Sequence, residues 1–296
     1  MKQIFLLIYL FILLCMGSLH ARSVVYNFRI AQITKEHIFE NANSYNHTII
    51  GLLFDEISER RYDDIHRNYF GALGSFIYNY NSFFFRTDFA VSLVQQKSFD
   101  SKFSDTQTDD FLFTIGKNLV LKNNFSVNLS GLFGVPTHEI YALKKPEFGV
   151  GQFGFGVQLD GAYKFNEQNY LILGSRYIYF IPRSARDEVC NKFKFTQGNS
   201  INLLIANKSI WGKHGLELGF TPGFLFGAKI DPFIKEIVEK TNYIRTSWYA
   251  VYQYKFLINK IKNRFLFNIA SGFDVAPKQF GHKYIVFLWA AWDIKF

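Results

Sequence analysis

The sequence predicts an all-β fold, an antiparallel up-and-down transmembrane β-barrel of about twelve strands, and three observations carry that reading. Aromatic residues make up 19% of the 296 residues, with 35 Phe and 17 Tyr, yet the mean hydropathy is only +0.01. Apolar residues are therefore interleaved with polar ones, as a wall with lipid on one side and water on the other requires. Apolar alternation with period two recurs in segments of roughly 10–15 residues, and the connections between them are alternately short and long.

In chain order, the first feature is the apolar run Ile4 to Met16, preceded by Lys2 and followed by Gly17, Ser18, Leu19, His20 and Ala21. It is shorter than the roughly 20 residues that span a bilayer, and its flanks are those of a signal peptide covering 1–21. Leu13 and Leu14 before Cys15 do not fit a lipoprotein-type site. No later segment approaches the roughly 18 uninterrupted apolar residues of a membrane helix, which excludes a polytopic helical protein. Cys190 stands alone after processing, so no intrachain disulfide is expected.

Residues 22–45 form a separate N-terminal segment, with three readings open: a periplasmic leader, a plug inside the barrel, or an extra strand around Val24 to Ile33. The barrel is expected over 46–296. Its strands fall near 46–54, 69–79, 82–94, 111–121, 125–134, 149–165, 170–181, 199–210, 215–228, 243–258, 264–275 and 283–296. Counts of ten and fourteen stay open, because the first segment has the weakest pattern.

Short turns rich in Asn, Gly or Lys lie near Asn79 to Asn81, Lys122 to Asn124, Asn166 to Asn169, Trp211 to Gly215 and Asn259 to Asn263. The long connections are Asp55 to Asn68, Gln95 to Asp110, Val135 to Phe148, Pro182 to Gly198, Lys229 to Asn242 and Ala276 to Gly281. Within the fifth, Asp231-Pro232 followed by Phe233, Ile234, Ile237 and Val238 has the start signal and apolar stripe of a short helix.

Alternation assigns faces. Over Gln152 to Phe165 the outward set is Phe153, Phe155, Val157, Leu159, Gly161, Tyr163 and Phe165; the inward set is Gln152, Gly154, Gly156, Gln158, Asp160, Ala162 and Lys164. The strand from Phe125 repeats this, with Ser126, Asn128 and Ser130 inward. A polar interior lined by small residues is expected.

The inward charged candidates are Arg86, Asp88, Asp160, Lys164, Arg176, Lys208, Glu217, Arg245, Lys255 and Asp293, with Asp274 beside them. Folding the strands about their turns sets Lys208 opposite Glu217 and allows Asp160 opposite Arg176, pairs that would neutralise one another and fix register. Near balance of the two signs predicts no strong ion selectivity.

The net charge of +9 is spread over Arg22, Arg29 and Lys35 and over turn residues Lys122, Lys213, Lys260, Lys262 and Arg264 rather than gathered on one face, which argues against nucleic acid. Acidic residues Asp55, Glu56, Glu59, Asp63 and Asp64, and Asp100, Asp105, Asp109 and Asp110, fall in the first two long connections, where a solvated loop is expected.

At the C-terminus, Phe296, Ile294, Trp292, Ala290, Leu288, Val286 and Tyr284 share one face. This terminal Phe with apolar residues at alternate positions resembles the last strand of bacterial outer-membrane β-barrel proteins. The resemblance covers about a dozen residues. It implies an outer-membrane location in contact with lipid, and recognition of Trp292, Ile294 and Phe296 by the barrel-assembly machinery.

No cofactor or metal motif is present, and an enzyme is not expected. The histidines His37, His47, His66, His138, His214 and His282 show no partner Ser on a mid-barrel strand; His138 and His282 are the remaining candidates for a rim hydrolase. The function expected is porin-like passage of small hydrophilic solutes. A surface-exposed interaction barrel is the alternative, and a hydrolase ranks third.

Overall fold

The computed structural model describes residues 46–60, 64–97, 102–122, 124–137, 151–186, 192–196, 198–226, 229–230, 243–258, 261–274 and 282–295. The segments 1–21 and 22–45, the helix expected at 231–238 and Phe296 lie outside them.

In chain order the strands are β1 (His47–Arg60), β2 (Asp64–Tyr80), β3 (Phe83–Lys97), β4 (Lys102–Thr108), β5 (Phe111–Lys122), β6 (Phe125–Val135), β7 (Gly154–Lys164) and β8 (Asn169–Phe180). They continue with β9 (Arg183–Arg186), β10 (Lys192–Thr196), β11 (Asn199–Trp211), β12 (His214–Phe226), β13 (Lys229–Ile230), β14 (Tyr243–Ile258), β15 (Ile261–Asp274) and β16 (His282–Lys295). Twelve of them, β1, β2, β3, β5, β6, β7, β8, β11, β12, β14, β15 and β16, pair antiparallel in sequence order, and β1 pairs with β16, which closes the barrel. Closure removes the exposed edges that an open sheet of this size would present.

Each short connection predicted from sequence is a hairpin turn. Between β2 and β3 only Asn81 and Ser82 remain, both with positive φ (46° and 68°), the two-residue turn whose twist matches the flanking strands. Asn166 Oδ1 accepts the backbone N–H groups of Gln168 and Asn169 at 2.9 Å, capping the turn between β7 and β8. Gly212 (φ 57°) turns β11 into β12.

Four long connections contain strand where none was expected. Asp55 to Asn68 is mostly strand, since β1 runs to Arg60 and β2 starts at Asp64. Gln95 to Asp110 likewise contains the end of β3 and all of β4. Strands that rise past the membrane need no apolar face, so their polar residues read as loop. β4 is the thirteenth strand of the sheet: β3 pairs with β5 from Phe83 to Asp88 and with β4 from Val91 to Lys97. The register slips across Asp109–Asp110, where the backbone N–H of Asp109 donates to Ala90 O at 2.8 Å. Pro182 to Gly198 contains the β9–β10 hairpin, which β13 joins in a separate three-stranded sheet. Among the described residues there is no helix.

The outer face carries an apolar band. Ile50, Leu52, Ile115, Leu129, Val157, Leu159, Leu173 and Ile205 are exposed along its middle. Near the short turns the exposed side chains include the aromatics Tyr78, Tyr80, Phe83, Tyr163, Phe165, Trp211 and Trp292. Toward the other end, Phe89, Phe111, Phe113, Phe133, Phe153 and Phe155 stack across four strands with ring centroids 5.0–6.5 Å apart. A strand of 11 residues such as β7, rising ~3.3 Å per residue at a tilt of ~40°, covers about 28 Å, enough for the hydrocarbon band of an outer membrane.

Candidate functional site

The inner wall is the candidate site, and its side chains follow the alternation read from sequence. On β7, Gln152, Gly154, Gln158, Asp160 and Ala162 are buried and Phe153, Phe155, Val157, Leu159 and Tyr163 exposed. On β6, Ser126, Asn128 and Ser130 are buried. On β16, Phe287, Trp289, Ala291 and Asp293 point in, whereas Val286 and Trp292 are exposed on the outer face.

Of the ten charged candidates, Arg86, Asp88, Asp160, Arg176, Lys208, Glu217 and Asp293 are buried inside the barrel. Lys164 and Lys255 are half-buried near the turn end, where Lys164 Nζ bonds Glu167. Arg245 and Asp274 are register partners on β14 and β15, with side chains outside the described set.

Three ion-pair groups organise the wall. Arg86 and Asp88 lie two residues apart on β3, so both point inward; Arg86 Nη2 meets Asp88 Oδ1 at 2.6 Å and Nε donates to the same carboxylate at 2.7 and 2.9 Å. Lys208 and Glu217 face each other across the β11–β12 hairpin, with Nζ 3.5 Å from Oε2, as the two-residue turn between them dictates. Tyr249 on β14 adds its hydroxyl, donating to Glu217 Oε1 at 2.8 Å. Gly219 makes this reach possible: a Cβ there would sit 2.3 Å from the Tyr249 ring, so the ring lies flat over the glycine.

At the turn end, Asp293 ties three strands together. Arg264 on β15 donates its Nε to Asp293 Oδ2 at 2.7 Å and its Nη2 to the same oxygen, while His47 Nδ1 on β1 lies 3.1 Å from Oδ1. The group sits on the seam that closes the barrel. Removing one partner from such a group leaves an uncompensated buried charge and costs about 3–5 kcal/mol, even where the pair itself adds little net stability.

The second of the two expected pairs differs from its prediction. Arg176 stands opposite Gln158, and Asp160 opposite Gly174, because four residues, Phe165 to Gln168, separate β7 from β8. Gln158 Nε2 donates to Asp160 Oδ2 at 2.8 Å. A Cβ on Gly174 would come 2.8 Å from Asp160 Oδ1, so the glycine makes room for the carboxylate. Asn128 Nδ2 donates to Asn118 Oδ1 at 2.9 Å nearby.

Sequence reasoning missed five buried ionisable residues among those described. Arg264 was assigned to a turn, but β15 begins at Ile261 and brings it inside. His47 opens β1 and faces inward. Asp55, Asp109 and Asp110 were assigned to solvated loops and are buried. Asp109 Oδ1 accepts the N–H of Asp110 at 2.8 Å, and the Asp110 carboxylate accepts that of Gly151 at 3.1 and 3.3 Å, pinning the β4–β5 bulge to the start of β7.

The interior is also less uniformly polar than β6 and β7 suggest. Ile49, Leu53, Tyr69, Leu73, Ile77, Phe287 and Trp289 form an apolar sector on β16, β1 and β2, and the buried apolar cluster continues round the wall through Leu112, Leu132, Ile172, Ile178 and Leu204. His282 opens β16, with its side chain outside the described set, and His138 lies outside the described residues. His214 Nδ1 is 2.7 Å from Tyr252 Oη at the turn end. No group of three or more metal-binding side chains occurs among the described residues.

No protein-family model matches the chain, and no curated protein matches it. Solved structures do. An outer-membrane channel of the COG4313 type from Pseudomonas putida F1 superposes with a TM-score of 0.63 at 10% identity, covering 86% of this chain and 96% of that one. The transport unit of the autotransporter AIDA-I from Escherichia coli gives a TM-score of 0.50 at 8% identity, covering 94% and 99%. At these identities the likeness establishes the fold. The chain has the closed twelve-stranded antiparallel β-barrel fold seen in bacterial outer-membrane proteins.

Proposed function

We propose that this chain is an outer-membrane channel that passes small hydrophilic solutes by diffusion. The observation that carries the reading is the polar arc of the inner wall. From β3 through β12 the barrel buries Arg86, Asp88, Asn118, Asn128, Ser130, Gln158, Asp160, Arg176, Lys208 and Glu217 behind an apolar outer band with an aromatic girdle. Buried charge is costly where no water or partner meets it. A barrel built only as a mount could fill its interior with aliphatic side chains at no such cost. The structural likeness to channel and transport barrels supports the same reading.

The location follows from the outer band, whose lipid-facing residues match an outer membrane in height and girdle. Trp292 and Ile294, with Phe296, would present the last strand to the assembly machinery.

Liposome swelling with full-length protein tests the proposal. Small neutral sugars and amino acids are expected to enter faster than into empty liposomes, with entry falling as solute size rises. Folded protein that leaves the rates of empty liposomes unchanged would overturn the channel reading and favour a surface interaction barrel.

A further inference from the structure

Asp55 stands apart from the other buried carboxylates. It is 1% exposed, and its Oδ1 has no hydrogen-bond partner among the described residues. Asp88 has Arg86, Glu217 has Lys208 and Asp293 has Arg264, but the direct cross-strand partners of Asp55 are aromatic, and Arg67, diagonal to it on β2, donates its Nε to Gln96 Oε1 at 2.7 Å. Asp55 is the direct register partner of Phe287 on β16 and of Tyr69 on β2, and both rings are buried on the same inner face. Direct cross-strand partners hold their Cβ atoms about 4.5–5.5 Å apart. One step lower on the same face, Leu53 is opposite Trp289, placing the indole diagonally from the carboxylate.

We propose that Asp55, Tyr69, Phe287 and Trp289 form a binding site for the ammonium end of a small organic cation, a site that rests on the channel reading and names a class of solute for it. The chemistry selects that class. A carboxylate supplies the counter-charge, and aromatic faces attract a cation through their quadrupoles, most strongly where it is desolvated. Asp55 is enclosed in this way. A divalent metal ion would require six or more oxygen ligands or a His/Cys set, and one carboxylate among rings offers neither. An anion would face the Asp55 carboxylate and the negative ring faces, with Arg67 already bonded to Gln96. Leu53 and the apolar sector below it suit the hydrocarbon part of an alkylammonium.

The test uses full-length protein folded in detergent, with folding checked by heat-dependent electrophoretic mobility. The probes are tert-butylammonium and neopentyl alcohol, which has a similar shape without the charge. Tryptophan fluorescence and the thermal unfolding midpoint report binding. The expected result is saturable binding of the amine, weakened at least tenfold in Asp55→Asn, with no saturable binding of the alcohol. Tyr69→Leu and Phe287→Leu are expected to weaken the amine several-fold, which keeps the test available should Asp55→Asn not fold. Equal amine affinity in these variants, equal binding of alcohol and amine, or no amine binding by the wild type would overturn the proposal. Liposomes separate the two readings: binding without solute entry sinks the channel alone, and solute entry without binding sinks this site alone.

Discussion

Two sectors of one inner wall solve the same problem in different ways. On β16, β1 and β2 the barrel fills its interior mainly with Phe287, Trp289, Ile49, Leu53, Tyr69, Leu73 and Ile77; from β3 to β12 it sets Arg86, Asp88, Gln158, Asp160, Arg176, Lys208 and Glu217 among buried apolar residues such as Leu112, Leu132, Ile172 and Leu204. The first sector is held by dispersion and the removal of apolar surface from water, terms that are non-directional and tolerate small shifts. The second is held by directional contacts such as Arg86–Asp88 at 2.6 Å, each of which is satisfied in only one register. The apolar sector supplies cohesion, while the polar sector fixes alignment and, in the proposed channel, offers its side chains to a solute. The Arg264–Asp293–His47 group joins them, a directional contact on the seam of the apolar sector.

The largest expected effect breaks that junction. Arg264→Ala should destabilise the barrel by about 3–5 kcal/mol by stranding the Asp293 carboxylate, and the double variant with Asp293→Ala should recover part of the loss. Denaturant midpoints of the folded band on gels measure both, and a double variant as weak as the single would assign the cost to lost packing. In the apolar sector, Leu53→Ala should cost about 2–5 kcal/mol, with no second-site charge substitution able to rescue it. Gly219→Val should cost about 1–3 kcal/mol by pushing Tyr249 off Glu217. Tyr249→Phe should mimic only the lost hydrogen bond, about 1 kcal/mol. The smallest effect has the opposite sign: Ser82→Gly should stabilise by up to about 1 kcal/mol by relieving positive φ at a non-glycine residue in the β2–β3 turn.

The same contrast explains what could be read from sequence. All twelve wall strands and all five short turns were legible, because Asn, Gly and Lys turns separate strands whose two faces differ. Lys208 opposite Glu217 was legible for a further reason: a two-residue turn leaves a single register. Asp160 opposite Arg176 failed because the longer connection at Phe165 to Gln168 does not. The apolar sector was missed because Ile49–Ile50 and Leu52–Leu53 are apolar on both faces, so alternation carries no face assignment there. Asp55 was misplaced because a polar residue on a long strand looks chemically like a loop residue, and Asp109 and Asp110 because a buried link between two strands has the same composition as a solvated one.

In the proposed channel the polar sector borders a path for hydrophilic solutes. Single-channel recording of full-length protein in planar bilayers tests it most directly, comparing the wild type with Asp88→Asn. Discrete current steps are expected from the wild type, with a cation-to-anion ratio that falls in the variant as Arg86 loses its counter-charge. Silent bilayers from folded protein, or steps whose selectivity is identical in both, would contradict it.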